Sequence, residues 1–185
     1  MNSETKFLKQ TTVSNYSSRN ASVYDDPMNK NFVYGELTVD FVNKIKFEKT
    51  DKIVADIGCG TGFAFDIIYD KLKQNNIKCI GIDPAKGMLE LAKKKFISNS
   101  NFSFYEGTFG KIPLENNSVD KIISTLALHW VPSLQDSIKE LKRILKKNGS
   151  IDILMIAKDD GEGFKQPIVE AMKKHLSFKQ IMKAA

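Results

Sequence analysis

The stretch that decides the fold of this chain is VADIGCGTG, residues 54–62. A short, mostly apolar run leads into glycines at every second position, which is typical of a buried strand that ends in a sharp turn. Glycine permits backbone angles that a Cβ atom would block, and it lets a ligand approach bare backbone. The dinucleotide fingerprint places its third glycine three residues after the second, whereas here it follows after two. The stretch therefore predicts a cofactor site and disfavours a nicotinamide dehydrogenase; a glycine turn without a ligand is the alternative.

Length and composition limit the class of protein. With 185 residues, 42% of them hydrophobic, the chain is long enough for one domain with a sizeable core. No apolar run approaches the roughly 20 residues that span a bilayer. Residues 1–12 are polar and lack a signal-peptide core, so we expect a cytoplasmic protein without a membrane partner. Cys59 and Cys79 occupy positions typical of buried thiols, and no metal-ligand spacing is present.

The net charge of +6 raises the question of a nucleic-acid partner. Arg19 and Arg143 are the only arginines, and the lysines are spread along the chain with acids between them. The lysine clusters at residues 93–95 and 146–147 are predicted to end helices, where the helix dipole favours cations. We therefore interpret the charge as a solvated surface and expect no nucleic-acid partner.

The rest of the chain divides into an arm and a domain. Residues 1–30 are rich in Ser, Asn, Thr and Lys without periodicity, which predicts a mobile arm or lid ahead of a domain at residues 31–185. We predict strands at residues 53–57, 78–82, 102–105, 121–125 and 151–156, and helices at residues 32–47, 62–73, 85–97 and 133–147. Apolar strands that alternate with helices predict an α/β fold with a doubly wound, mainly parallel sheet.

Asp83 ends the second predicted strand, 21 residues after Gly62. In doubly wound sheets ligands bind at the carboxyl ends of the strands, and an acid about 20 residues after the glycines accepts the hydroxyls of a ribose. The alternative is that Asp83 caps the helix that opens near Pro84.

Taken together, these motifs resemble the class I methyltransferases that use S-adenosyl-L-methionine. The resemblance covers about residues 50–157 and rests on DIGCGTG at 56–62, GID at 81–83, PAKGML at 84–89, NSVD at 117–120 and LKKNGS at 145–150. It implies a Rossmann-like methyltransferase fold with S-adenosyl-L-methionine as cofactor.

The resemblance also implies a set of cofactor-binding residues, with the glycines holding the methionine end and Asp56 beneath them organising the loop and the amino group. The set comprises Asp56, Gly58, Cys59, Gly60, Gly62, Asp83, Pro84, Met88, Thr108, Phe109 and Leu126. Met88 and Pro84 would flank the adenine, although Met88 in the core is the alternative reading. The family often has Asp after the glycine that follows the third strand, whereas here Thr108 and then Phe109 follow Gly107. An acidic contact to the adenine is therefore absent.

The acceptor side is predicted at LALHW, residues 126–130, which follows the fourth strand. The string resembles that of small-molecule and carrier-protein carboxylate methyltransferases, including the biotin-synthesis type, so we expect a small-molecule or acyl-carrier-bound substrate. His129 could take a proton from the acceptor, with a loop-shaping role as the alternative. Trp130 would wall the pocket, and Tyr24 in the arm would close over it.

After its fifth predicted strand the chain differs from the family pattern. Relatives continue the sheet with two more strands, whereas residues 164–185 predict one helix and a tail. We therefore expect a fold truncated after the fifth strand, whose free edge would support homo-oligomers. The alternatives to a methyltransferase of small or carrier-bound molecules are a cofactor-binding pseudo-enzyme or interaction module, and an RNA methyltransferase.

Overall fold

The computed structural model describes residues 33–155 of the 185-residue chain. The elements in chain order are α1 (Val33–Lys44), β1 (Ile53–Ile57), α2 (Phe63–Ile67), α3 (Tyr69–Gln74), β2 (Lys78–Asp83), α4 (Lys86–Lys95), β3 (Phe102–Glu106), β4 (Val119–Thr125), a 3₁₀ helix (Leu128–Trp130), α5 (Leu134–Ile144) and β5 (Leu145–Leu154).

The strands form one sheet with the order β3-β2-β1-β4-β5, and every neighbouring pair is parallel. From β1, the chain adds β2 and β3 on one side of the sheet and then β4 and β5 on the other, so the strand order reverses next to β1. The turn after β1 therefore lies at the switch point where such sheets bind ligands. The predicted α/β fold with a parallel sheet is confirmed.

Both faces of the sheet carry a hydrophobic core, because successive side chains of a buried strand point to opposite faces. Val54 and Ile123 join the core that α1 to α4 cover, whereas Ala55 and Ile122 join the core that α5 covers. Helices on both faces explain why the central strands β1, β2 and β4 are mostly apolar.

The sequence of α5 supports its start and its end. The Ser133 hydroxyl accepts a hydrogen bond from the Asp136 amide at 3.2 Å, which caps the first turn. Ser137, Leu141 and Ile144 form its buried face at helical spacing.

The prediction of a helix through residue 147 is wrong. The helix ends at Ile144, and Leu145 begins β5, so Lys146 and Lys147 lie in a strand rather than at a helix end. Lys146 is held there by Asp120, whose Oδ1 accepts from its ammonium at 2.8 Å. The other Asp120 oxygen accepts from the amides of Lys52 and Ile53 at the start of β1, so this aspartate ties three strands together.

A second correction concerns the region after the glycines. One helix was expected over residues 62–73, but α2 and α3 are separate, with Ile68 between them.

The strand β5 is an edge of the sheet, since among residues 33–155 it pairs only with β4. Ile151 and Met155 are 39% and 45% exposed, whereas Lys147 and Asn148 make its first half polar. In the part of the chain that the structure describes, no helix is long and apolar enough to cross a membrane.

Candidate cofactor site

The turn after β1 bends through glycines with left-handed backbone. Gly58 has φ +80° and Gly60 has φ +54°, angles that side chains rarely adopt. A Cβ added to Gly58 would lie 2.2 Å from the Cβ of Ala127, so the chain after β4 packs directly on this glycine. A Cβ added to Gly60 would meet nothing within 4 Å among the described residues. The turn is therefore packed at Gly58 and open at Gly60.

The end of β2 holds the turn in place. The carbonyl oxygen of Ile82 accepts hydrogen bonds from the amides of Gly58 at 2.7 Å and Cys59 at 3.0 Å. Oδ2 of Asp83 accepts from the Gly60 amide at 2.9 Å, and Oδ1 accepts from the Ala85 amide at 2.8 Å. The turn and the predicted ribose acid thus form one hydrogen-bonded unit.

Asp83 lies ahead of α4 and keeps acceptor capacity beyond its two backbone hydrogen bonds. The helix α4 begins after Ala85, which is its N-cap residue, so Asp83 is not the helix cap. An ionised carboxylate has about four acceptor positions, and the two backbone amides use two of them. Acceptor capacity for ligand hydroxyls therefore remains, although Asp83 is 8% exposed.

Asp56 lies beneath the turn, fully buried. Neither of its carboxylate oxygens has a hydrogen-bond partner among the described residues. Burial, together with the nearby charge of Asp83, raises the pKa of Asp56 to about 8. The described hydrogen bonds that organise the loop come from β2, not from Asp56 as expected, and the aspartate is left with unused acceptors.

Cys59 is buried within the turn, and its thiol lies 3.7 Å from the Gly60 carbonyl oxygen. Burial and the charges of Asp56 and Asp83 raise the pKa of this thiol well above its ordinary value. It is a free, neutral cysteine that fills space under the loop.

The residues expected around the adenine lie after β3 and in the segment from the end of β2 into α4. Phe109 is buried, and its ring lies 3.5 Å from where a Gly58 Cβ would stand. Met88 is 3% exposed and packs with Ala85 and Leu91, which fits its alternative reading as a core residue. Thr108 is exposed and begins a tight turn with Lys111, and Pro84 is half-buried.

The segment after β4 reaches the same edge of the sheet. Leu126 has a left-handed backbone with φ +53°. Among the described residues, the only other non-glycine residues with positive φ are two asparagines, which tolerate this conformation better than leucine. Its amide donates to the carbonyl oxygen of Leu154 at 2.7 Å. Strained backbone of this kind clusters at functional sites.

His129 and Trp130 follow in the 3₁₀ helix, with ring centroids 4.9 Å apart. His129 is half-buried, and its Nδ1 has no partner among residues 33–155. Burial lowers the pKa of the imidazole, so the ring is neutral at pH 7 and can accept a proton. Trp130 is 51% exposed.

Two residues that shape the site are not among the predicted site residues. Ala127 gives the contact with Gly58, and Ile82 supplies the carbonyl that fixes the turn. Ala127 could have been found from the sequence, because it is a small residue shortly after a strand whose end lies at the ligand-binding edge of the sheet. A backbone carbonyl leaves no signal in the sequence. The proposed lid residue Tyr24 lies outside the described residues.

Comparisons with known proteins identify methyltransferases as similar to this chain. The family described as "Methyltransferase domain" matches residues 55–153, from β1 into β5. The ubiquinone/menaquinone biosynthesis C-methyltransferase UbiE of Campylobacter jejuni (strain 81-176) is 35% identical over 119 residues, which are 63% of this chain and 49% of that protein. The malonyl-[acyl-carrier protein] O-methyltransferase of Marinomonas sp. is 36% identical over 100 residues, 54% of this chain and 36% of that protein.

Among solved structures, a SAM-dependent methyltransferase from Aquifex aeolicus is similar with a TM-score of 0.55 and 26% identity. The match covers 69% of this chain and 66% of that one. The chain spans about half the length of the UbiE relatives that it matches.

Proposed function

Because the chain belongs to the methyltransferase domain family, we propose that it binds S-adenosyl-L-methionine and transfers the sulfonium methyl group to a small-molecule or carrier-bound acceptor. When bound, the cofactor supplies an electrophilic methyl group. The residues of this chain bind it, shield it from water and place the acceptor in line with it.

The observation that carries the proposal is the buried carboxyl group of Asp56, whose two oxygens lack partners among the described residues. Such a group is costly unless a cation or a donor meets it. The ammonium group of a bound methionine moiety supplies both. The open side of Gly60 gives space for that moiety against bare backbone.

The neighbouring residues support the rest of the cofactor. We propose that Asp83 accepts the ribose hydroxyls through its remaining acceptor positions, while the two backbone amides keep its carboxylate oriented. Phe109 offers apolar surface for the adenine, with Pro84 and Thr108 at its edge, while the buried Met88 supports this side from the core. Leu126 borders the methionine end, while Gly62, where an added Cβ would lie 2.8 Å from the Phe96 ring, and the buried Cys59 keep the turn closely packed behind it.

The acceptor side is proposed at the segment after β4. Trp130 has about half its surface free for contact with an acceptor. The neutral imidazole of His129 is able to take a proton from a hydroxyl or from an acidic carbon. A carboxylate acceptor needs no such base, because it is already a nucleophile. The two curated relatives differ in this respect, one being named a C-methyltransferase and one an O-methyltransferase.

A binding experiment tests the cofactor. Titration calorimetry with S-adenosyl-L-methionine, its demethylated product and NAD should show binding of the first two only. Binding of NAD alone would refute the proposal. A screen for transfer of a labelled methyl group to carboxylic acids, quinol-type phenols and acyl-carrier thioesters then identifies the acceptor class. Cofactor binding without transfer to any of them would favour the pseudo-enzyme reading.

His129→Gln separates the acceptor classes. For an acceptor that must lose a proton, the variant should lower kcat by roughly 100-fold or more while the cofactor affinity stays unchanged. For a carboxylate acceptor, kcat should change little. A large loss of cofactor affinity would instead assign His129 to shaping the loop.

A further inference from the structure

The carboxyl group of Asp56 is isolated beneath the turn after β1. The side chain is fully buried, and neither oxygen accepts a hydrogen bond within residues 33–155. An isolated carboxylate in such a place would have lost its hydration without compensation, so the neutral acid is the stable form.

The groups around Asp56 oppose its ionisation. Burial contributes most to the raised pKa of Asp56, and the charge of the nearby Asp83 carboxyl at the end of β2 raises it further. Among the described residues, the thiols of Cys59 in the turn and Cys79 on β2 also interact with Asp56, and burial raises the pKa of both thiols. None of these groups is a cation.

The nearest lysine along β4 does not compensate. Lys121 pairs in register with Val54, two residues before Asp56 on the neighbouring strand. Its ammonium group lies 3.1 Å from Asp152 and also donates to the Ser150 hydroxyl, both on β5. The positive charge is therefore engaged on the far side of β4.

We propose that Asp56 is protonated in the free protein at neutral pH and releases that proton to solvent when the ammonium group of the bound cofactor comes to lie beside it. The O–H bond of the carboxyl group breaks, the proton goes to buffer, and the ammonium group keeps its own protons. An ion pair replaces a neutral acid. The inference rests on the proposed function, because it takes the ligand to carry an amino-acid moiety.

Two consequences follow for binding. The affinity for a ligand with the ammonium group rises about tenfold per pH unit until Asp56 is ionised in the free protein, since one proton is released per ligand. A ligand that lacks the amino group shows no such dependence. The site thus selects ligands by the charge of their amino group as well as by their shape.

The test measures protons directly. Calorimetric titration with S-adenosylhomocysteine at about pH 6.5 in buffers of different ionisation enthalpy gives the number of protons released, and we expect about one per ligand. This ligand carries the amino group without the sulfonium charge, so the sulfur contributes nothing to the count. 5′-Methylthioadenosine, which lacks the amino-acid moiety, should bind with no release.

Asp56→Asn is the matched variant, because the amide imitates the neutral acid in size and shape. It should release no proton, and its affinity for S-adenosylhomocysteine should be independent of pH. A carboxyl ¹³C titration of the free wild-type protein, with the Asp56 signal assigned by its loss in the variant, should show the carboxyl group protonated at about pH 6.5. This second measurement holds even if the variant binds poorly.

The outcomes are distinguishable. Binding of S-adenosylhomocysteine to the wild type without proton release, an unchanged release in Asp56→Asn, or an Asp56 signal ionised at about pH 6.5 would overturn the inference and leave the proposed function intact. No binding of S-adenosylhomocysteine at any pH would overturn the proposed function and this inference with it.

Discussion

Gly58 and Gly60 both have a left-handed backbone, but Gly58 is packed against Ala127 whereas Gly60 faces open space. We therefore expect Gly58 to serve packing and Gly60 to serve ligand binding. The Gly58→Ala change should cost roughly 2–5 kcal/mol of unfolding free energy, because backbone strain adds to overpacking against Ala127. Gly60→Ala should cost about 1–2 kcal/mol from strain alone. It should nevertheless weaken cofactor binding about tenfold or more, since its Cβ enters the open space.

Chemical unfolding and calorimetry on the two variants check this pair. Adding Ala127→Gly to Gly58→Ala removes the contact and should restore part of the lost stability. Equal stability losses in the two single variants, with no rescue, would contradict the packing role of Gly58.

Asp83 is expected to serve both the loop and the ligand. Asp83→Ala should weaken binding of S-adenosyl-L-methionine by about 1–3 kcal/mol, because charge-assisted hydrogen bonds are lost. Asp83→Asn keeps one acceptor oxygen and should fall between the wild type and Asp83→Ala. Unchanged affinity in both variants would leave Asp83 with only its bonds to the Gly60 and Ala85 amides.

Asp56 should also make stability depend on pH. Its pKa is raised from an ordinary value near 3.8 to about 8, so between these values the native state holds a proton that the unfolded state lacks. The unfolding free energy of the free protein should therefore fall as pH rises through this window, by up to about 1.4 kcal/mol per pH unit. In Asp56→Asn this contribution should vanish. Identical pH profiles for the two proteins would show that Asp56 does not titrate there.

At the scale of the elements, a clamp on α5 fixes the loop between β3 and β4. Glu140 accepts from the Ile112 amide at 2.9 Å, and the Arg143 guanidinium donates to the carbonyl oxygens of Ile112 and Leu114 at 2.8 and 2.6 Å. The two side chains also pair with each other at 2.7 Å. The same loop carries Phe109, so the clamp positions one proposed wall of the candidate cofactor site.

Arg143→Leu should lower the unfolding free energy by about 1–3 kcal/mol, because two carbonyls and a carboxylate lose a charged donor. Arg143→Lys keeps the charge but not the fork of donors, and should also be destabilising. Lys142→Leu, at an exposed neighbouring position, is the control with little expected effect. Urea unfolding measures all three, and a loss in the control as large as in Arg143→Leu would contradict the clamp.

The elements also show what the sequence could and could not predict. The apolar runs of β1 to β4 allowed their type and order to be predicted, with ends that differ by one or two residues. The end of α5 could not be predicted, because Lys146 and Lys147 suit a last helical turn. Pairing of Leu145 with Val119, and the contact of Lys146 with Asp120, decide the boundary instead.

The same distinction holds for the candidate site. The glycine turn and Asp83 were visible as a motif, but the bond between the Gly60 amide and Asp83 joins residues far apart in the chain. The lack of partners around Asp56 is likewise a property of the packed fold rather than of the motif.

At the scale of the whole molecule, we propose that the edge of β5 left unpaired among residues 33–155 pairs with a second copy of the chain. The exposed Ile151 supports pairing at the second half of the strand, whereas the charged Lys147 limits it at the first half. Sedimentation velocity should show association that increases with protein concentration and is abolished by Ile151→Lys. A monomer at every concentration would refute this proposal.

We propose that the turn after β1, Asp56 and Asp83 together hold S-adenosyl-L-methionine. A crystal structure of the protein with S-adenosylhomocysteine would show whether they do. We expect the ligand's amino group within hydrogen-bond distance of Asp56, its ribose hydroxyls on Asp83, and its methionine backbone over Gly60. A ligand bound elsewhere, or one that leaves the Asp56 carboxyl group without a partner, would contradict it.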